Sequence, residues 1–430
     1  MAYTGITNSS VDAIWRKVQG PLATGYNFMV PEHKWIGNLP DLKLPASLRT
    51  IEFPVDLAED RNITNLPESG REANPTTVNA YDALVALVHK NGRFTVSKRA
   101  QAAMSADGAK AYIKNQLLWS GKKKMEAVAR TLSDEFYGFA TGTLAVVDDS
   151  GAALGSATSH TITLKNGYGS TIIDGSSTAE KNYIANLFRV GDNVALIDST
   201  TLVTNSAYGA ITAVTAATPS IAVTWTAAVD PDDGDFVVFS NGANGTTIAH
   251  TNYSRHLVGL LDMCTSTSLQ NISGATYPNW TAALADTGGG RFTGTKWRKG
   301  LDEIRNFGKE DADVMTLVSQ GVNRDVILQT SAGLRFDDAM NMEIDGDVKA
   351  RGKGFKTSRR VPPGMAIMFD RSAIGKKTIY DDLGSGGSVN WADGKDAIDD
   401  SYRIFALDWI GFMACKNRKC LAYWTGLTES

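Results

Sequence analysis

Residues 101–139 read QAAMSADGAKAYIKNQLLWSGKKKMEAVARTLSDEFYGF, the most strongly periodic stretch of this 430-residue chain. Ile113, Leu117, Gly121, Met125, Val128, Leu132, Phe136 and Phe139 recur at intervals of three and four, one face of a 3.6-residue helical period. Lys110, Lys114, Lys122, Lys123, Lys124 and Arg130 lie mostly off that stripe and read as its solvated face rather than as a nucleic-acid contact. A single helix over this span runs for more than ~50 Å at ~1.5 Å per residue, unless Gly121 kinks or divides it.

Upstream, the pattern is extended. From Leu48 to Val55, Ile51, Phe53 and Val55 alternate against Thr50 and Glu52, as in a strand with one buried face. A second strand-like run from Thr76 to Val96 carries Val78, Leu84, Val85, Leu87 and Val88. The polar stretch between them, DLAEDRNITNLPESGREANP at 56–75, is too long for a hairpin turn, and loops of that length usually have a task. Residues 1–47 scatter Trp15, Tyr26, Phe28 and Trp35 among Pro21, Pro31, Pro40 and Pro45. Proline blocks long helices and the rings need a surface to cover, so this segment reads as an extended arm that packs on something else.

Downstream of the helix the period changes from 3.6 to 2. VGDNVALID (190–198), YGAITAVT (208–215), SIAVTWTAAV (220–229) and GDFVVFS (234–240) are short, β-branched and bounded by turn residues. They suggest a small barrel or sandwich inserted into a larger fold, with Ile221, Val223 and Trp225 on its apolar face. The segment Asp230-Pro231-Asp232-Asp233-Gly234-Asp235 has the acidity of a calcium loop, but Gly234 falls where a ligand belongs, so a hairpin turn is expected. Thr141-Gly142-Thr143 and Asn241-Gly242-Ala243-Asn244-Gly245 have the composition of tolerant junctions.

The remainder begins HLVGLLDMCTSTSLQNISGATYPNWTAALAD (256–286), followed by a helical pattern through Trp297, Leu301 and Ile304 that ends near Gly308. DVMTLVS (313–319) gives a strand, and GKGFKTSRRVPPGMAIMFD (352–370) an extended pair broken at Pro362-Pro363-Gly364.

Composition narrows the function. With 43 Lys+Arg against 46 Asp+Glu, the net charge of -3 lacks the basic surplus of a dedicated nucleic-acid binder. Hydrophobic residues make up 43% and charged residues 21%, as in globular chains. Mean hydropathy is -0.17, and no apolar run approaches the ~18 residues of a membrane span. The opening MAYTGITNSSVD lacks the basic and apolar regions of a secretory leader, so the sequons at Asn8, Asn62 and Asn271 are expected to be idle. Cys264, Cys415 and Cys420 are too few for a disulfide framework and are read as buried thiols; Cys415 and Cys420 lack the partners of a zinc site.

Catalytic patterns are missing too. The sequence has no HExxH, GxSxG or GxxxxGK[ST], and Gly167, Gly169 and Gly175 do not fit a dinucleotide fingerprint. His250 and His256 are six residues apart, poor geometry for a shared helical metal face, and no acid–base pair is nominated. The expectation is no enzyme, no cofactor and no metal.

The order of these parts resembles the major capsid proteins of tailed bacteriophages, with the Hong Kong 97-type fold. Arm, long hairpin loop, spine helix, central domain and late strands with a Val-Pro-Pro-Gly turn follow one another across most of the chain. The β stretch stands apart, and an inserted β domain is a recurrent variation in that family. The resemblance implies an α+β fold. It assigns 1–47 to an N-terminal arm, 48–98 to the extended loop, 99–140 to the spine helix of the peripheral domain and 141–250 to the inserted β domain. It assigns 251–339 to the axial domain, 340–372 to peripheral-domain strands and 373–430 to the C-terminal part of the axial domain.

The implied function is assembly into pentamers and hexamers of an icosahedral head enclosing double-stranded DNA, bound without sequence specificity. Its location is then the virion capsid, and the host cytoplasm during assembly; scaffolding, portal and decoration proteins are further candidate partners, and no membrane is. Two alternatives stand beside it: a carbohydrate-binding or tail-associated β-rich virion protein, and a host-encoded protein-storage shell of the same fold.

Inter-subunit contacts are expected where opposite charges gather. The loop carries Glu59, Asp60, Glu68 and Glu72 with Arg71, and the late segment carries Arg351, Lys353, Lys356, Arg359 and Arg360. Either the basic segment is a solvated edge, or it pairs with the acidic loop of an adjacent subunit. Some members of the family join a loop lysine to a neighbour's asparagine; this loop has no lysine, so no such cross-link is expected.

Overall fold

The computed structural model describes residues 50–56, 80–97, 141–149, 154–240 (203 excepted), 257–333, 353–378, 390–396 and 402–429, with 349, 350 and positions 119–121, 123, 124, 127, 131, 132 and 134–139. The expected arm at 1–47 and residues 57–75 of the polar loop lie outside these residues.

Of the long helix, the described positions from 119 to 137 are helical. Leu132 and Phe136, two members of the apolar stripe, are buried, and Phe139 packs against the same core. Ile113, Leu117, Met125 and Val128 lie outside the described residues. Upstream, β1 (Thr50–Asp56) pairs antiparallel with β2 (Ala80–Ala86), setting Phe53 opposite Ala83 and Val55 opposite Tyr81. Phe53, Val55, Ala83 and Val85 are buried, as the two-residue alternation requires. β3 (Val88–Ser97) follows directly but leaves this pair for another sheet.

Six strands close into a barrel: β4 (Thr143–Val147), β5 (Ala157–Lys165), β6 (Asn193–Ile197), β7 (Thr204–Thr215), β8 (Ser220–Val229) and β9 (Phe236–Phe239). They run in the order β4-β5-β8-β7-β6-β9. Between β5 and β6 lies α1 (Thr178–Asn186), opened by a capping box in which Ser177 and Glu180 satisfy each other's backbone N–H groups. Ile162, Leu164, Val194, Leu196, Ile211, Ile221, Val223 and Trp225 are buried in one cluster with residues of the body. β4 is buried at all five positions, so it is covered on both faces. The Asp230–Asp235 segment turns as expected but is not a hairpin. Both edges of β8 are already taken, by β5 and β7, so the chain crosses to place β9 between β4 and β6.

After the barrel come α2 (Leu260–Thr265), the short pair β10 (Ser268–Leu269) and β11 (Ile272–Ser273), β12 (Leu284–Asp286), α3 (Gly294–Phe307), β13 (Val314–Val318) and α4 (Gln320–Gly333). The remaining strands are β14 (Lys349–Ala350), β15 (Lys353–Thr357), β16 (Ala366–Asp370), β17 (Ile374–Thr378), β18 (Asn390–Asp396), β19 (Tyr402–Cys415) and β20 (Leu421–Trp424). A mixed six-stranded sheet runs β12-β20-β16-β13-β15-β14. Its central β13 and β16 are buried at every position, which is why both are apolar apart from the buried Thr316 and Asp370. On this sheet α3 lays Trp297, Gly300, Leu301 and Ile304. Gly300 is required there, since a Cβ would stand 2.4 Å from the Trp424 ring.

The two halves of 352–370 are strands, β15 and β16, but not partners. β13 lies between them, parallel to β15 and antiparallel to β16, and the Pro362-Pro363-Gly364 connection spans its width. A second sheet joins β17 and β18 to β19, whose other partner is β3, with Phe405 opposite Phe94. The sheets therefore cut across two of the expected segment boundaries. Strands on both sides of 339/340 share the six-stranded sheet, whereas β19 joins β3 to β17 and β18 in the other. Short strands are sorted by hydrogen bonding across the fold, which order along the chain does not reveal.

Candidate functional site

The charged contact candidates fall into two groups. Glu59, Asp60, Glu68, Arg71, Glu72 and Arg351 lie outside the described residues. Lys353 and Lys356 stand on β15, and Arg359 is exposed in the turn that follows. Arg360 faces inward instead, and its guanidinium forms an ion pair with Asp134 of its own chain. Within the single chain that charge serves the fold.

Arg360 marks a junction at the end of the long helix. Asp134 and Glu135 are adjacent there and only 3% and 6% exposed. Burying two carboxylates is costly unless each is paired. Asp134 takes Arg360 from the β15–β16 connection. Glu135 takes Lys90 of β3 at 2.5 Å through Oε1, while its Oε2 accepts the Leu257 backbone N–H at 3.3 Å. One helical turn thus reaches the six-stranded sheet, the four-stranded sheet and the chain returning from the barrel.

The barrel meets the same turn. Tyr168 lies against Gly138, where a Cβ would stand 3.1 Å from its ring. Tyr168 also meets the Tyr183 ring edge-on at 6.2 Å, and the Tyr183 hydroxyl donates to the Arg360 carbonyl at 2.6 Å. Burial pushes both phenols above their ordinary pKa, so they remain neutral donors. On the return path Gly259 touches the helix end so closely that a Cβ would lie 2.1 Å from the Gly138 carbonyl oxygen. Thr131, Asp134, Glu135, Gly138, Phe139, Thr143, Tyr168 and Phe239 line a shallow cleft at this junction.

A second buried charge holds the body together. Arg418 is 1% exposed and donates to the carbonyls of Met263 (2.9 Å), Trp280 (2.9 Å) and Ser266 (2.8 Å). It therefore sits at the C-terminal end of α2, where a cation complements the free carbonyls. Desolvation lowers its pKa. Cys264, Cys415 and Cys420 are buried and free, as expected, and burial pushes the first two thiols up to about 12 and the third to about 11. Such thiols are poor nucleophiles.

The acidic pair was readable in principle. Glu135 falls three residues after Leu132 and four before Phe139, so it occupies the apolar stripe itself. A carboxylate on a buried helical face implies a buried cation, but no local pattern says that it is Lys90. Tyr168, Tyr183 and Arg418 carry no sequence signal of their roles.

No family model matches the chain, and no curated protein matches it in sequence. Solved structures do. The capsid asymmetric unit of cyanophage A-1(L) aligns over 91% of both chains with TM-score 0.50 and 11% identity. The chain thus has the α+β Hong Kong 97-type capsid fold expected from its segment order. The capsid of a native GTA particle is similar at TM-score 0.42 and 6% identity, over 91% of this chain and 90% of that one. The holo-SrpI encapsulin complex from Synechococcus elongatus PCC 7942 is similar at TM-score 0.40 and 9% identity, over 92% and 88%.

Proposed function

We propose that the chain is the shell-forming subunit of a tailed-phage head, assembling into pentamers and hexamers around double-stranded DNA. The observation that carries this reading is the likeness to the cyanophage capsid unit along 91% of the chain. In this reading the six-stranded sheet with α3 and α4 clusters at the five- and six-fold centres, and the long helix with the four-stranded sheet forms the periphery. In the same reading the 1–47 arm and the extended loop within 48–98 reach neighbouring copies, a role that suits the scattered aromatics and prolines of the one and the long polar stretch of the other. The role is structural and not catalytic. DNA is held as a neutralised mass rather than read, in keeping with the balanced charge of the chain.

Electron microscopy of the overexpressed chain tests the shell, and nuclease protection tests the contents. Closed shells that protect genome-length DNA in infected cells support the reading. Closed shells around a protein cargo would favour a storage compartment, and isolated monomers or trimers would defeat both.

A further inference from the structure

We propose that the groove between the start of α4, the 288–290 loop and the 362–364 turn is a peptide-binding site, with the chain's own residues 427–429 as its tethered ligand. Glu429 lies beside the first turn of α4, where free N–H groups favour a carboxylate. Its Oε1 accepts from the Ser319 hydroxyl at 2.5 Å and from the Gly364 N–H at 2.8 Å. Ser319 is buried, and its Oγ also receives the Val322 N–H at 3.3 Å. One carboxylate thus joins the helix start to the turn between β15 and β16. The backbone adds two more ties. The Leu427 N–H donates to the Gly364 carbonyl at 2.8 Å, and the Thr428 N–H to that of Gly290 at 3.0 Å. The Leu427 side chain is buried in one cluster with Phe292, Trp297, Val322 and Trp424.

The groove is shaped for this occupant and can lose it. A Cβ at Gly321 would stand 2.6 Å from the Cβ of Glu429, so the bare helix start is what admits the side chain. Gly364 has a φ of 64°, which suits glycine, and a Cβ there would lie 3.0 Å from the Leu427 carbonyl oxygen. Release asks little, because Leu427 alone of the three residues is buried and Gly426 before them is exposed. Segments held by few buried contacts open below the free energy of global unfolding. Residues 427–429 therefore work as a latch. Opening it frees the α4 start, the 288–290 loop and the 362–364 turn together and leaves the six-stranded sheet intact. The ligand class that fits is a peptide with an apolar side chain two residues before a carboxylate. The inference concerns a single chain and holds whether or not copies form a shell.

Amide hydrogen exchange in the full-length protein tests the latch. Glu429→Ala removes two charge-assisted hydrogen bonds and should speed exchange at Gly364, Leu427 and Thr428 together by about tenfold. Exchange across β13 should stay at the parent's rate. Gly321→Ala should have the same effect by crowding out Glu429, although alanine favours a helix. A synthetic peptide of residues 425–430, added at about millimolar concentration to Glu429→Ala, should slow Gly364 again. The same peptide with Gln in place of Glu429 should not. A rise confined to Gly364 would reduce the contact to one local bond. An equal rise across β13 would make the segment part of the sheet's core. Either result, unchanged exchange in both variants, or a peptide that leaves Gly364 unprotected would overturn the proposal.

Discussion

The indole N–H of Trp225 donates to Nδ1 of His160 at 3.0 Å inside the barrel, and Nε2 of the same imidazole lies 2.8 Å from the Gly155 carbonyl. This network assigns the ring its neutral form with the proton on Nε2, so that each polar atom in an apolar interior has a partner. Trp225→Ala removes both ring packing and donor and should cost ~3–5 kcal/mol. Trp225→Phe keeps most of the packing, leaves Nδ1 unmatched and should cost ~1–3 kcal/mol. Denaturant unfolding of the full chain gives both values; equal, near-zero costs would place the ring outside the core.

Asp235 makes the barrel respond to pH. Burial pushes its carboxyl up to about 6, aided by the nearby charges of Asp232, Asp198 and Asp230. The folded state therefore keeps its proton while the unfolded chain loses one near 3.8, so stability from this group falls as pH rises from about 4 to about 6. The fall is at most ~3 kcal/mol. Asp235→Asn should retain the acceptor for the Asp232 N–H, raise the melting temperature at pH 7 and leave it unchanged at pH 4. A variant that matches its parent at both pH values would contradict the buried ionisation.

Gly259→Ala tests the close approach at the helix end. Its backbone φ of -87° suits any residue, so the obstacle is space alone. The carbonyl oxygens of Gly138 and Glu135 would lie 2.1 and 2.5 Å from the new methyl group. Backbone cannot step aside as a side chain does, and the cost should reach the top of the ~1–3 kcal/mol range for overpacking. A thermal midpoint within a degree of the parent's would show that the junction is looser than described.

Mature particles should run as monomers near 46.1 kDa on a denaturing gel. No lysine occurs from 56 to 75, and Lys90, the nearest beyond it, is held by Glu135. Covalent ladders would refute this.

Glu68→Lys combined with Glu72→Lys should lower shell stability more in low salt than in high salt, if the acidic loop meets Lys353, Lys356 and Arg359 of a neighbour. Exposed pairs contribute only ~0–1 kcal/mol each, so the effect rests on repetition over many copies. Identical melting of parent and variant shells at both ionic strengths would remove the contact.

Periodicity made the parts of the fold legible, and pairing stayed hidden. The stripe through Leu132 and Phe136, the strands at 193–197, 204–215 and 220–229, and the burial of Trp225 all follow from local alternation. The separation of β15 from β16 does not, because the strand between them is supplied by Val314–Val318, some forty residues upstream of β15. The junction was half legible. Arg360 stood out as a charge, but its partner lies in a helix more than two hundred residues earlier, and charge patterning along the chain cannot measure that distance in space.

The position of β20 imposes an order on synthesis. Every other strand of the six-stranded sheet precedes it in the chain, yet it fills an interior place between β12 and β16. Until Leu421–Trp424 leave the ribosome, β12 has no partner in that sheet and β16 keeps a bare edge, as the ribosome adds ~5–20 residues per second. A nascent copy thus holds an incomplete sheet until β20 is made. Contacts that need the complete sheet must wait for that strand, which delays the first encounters between copies.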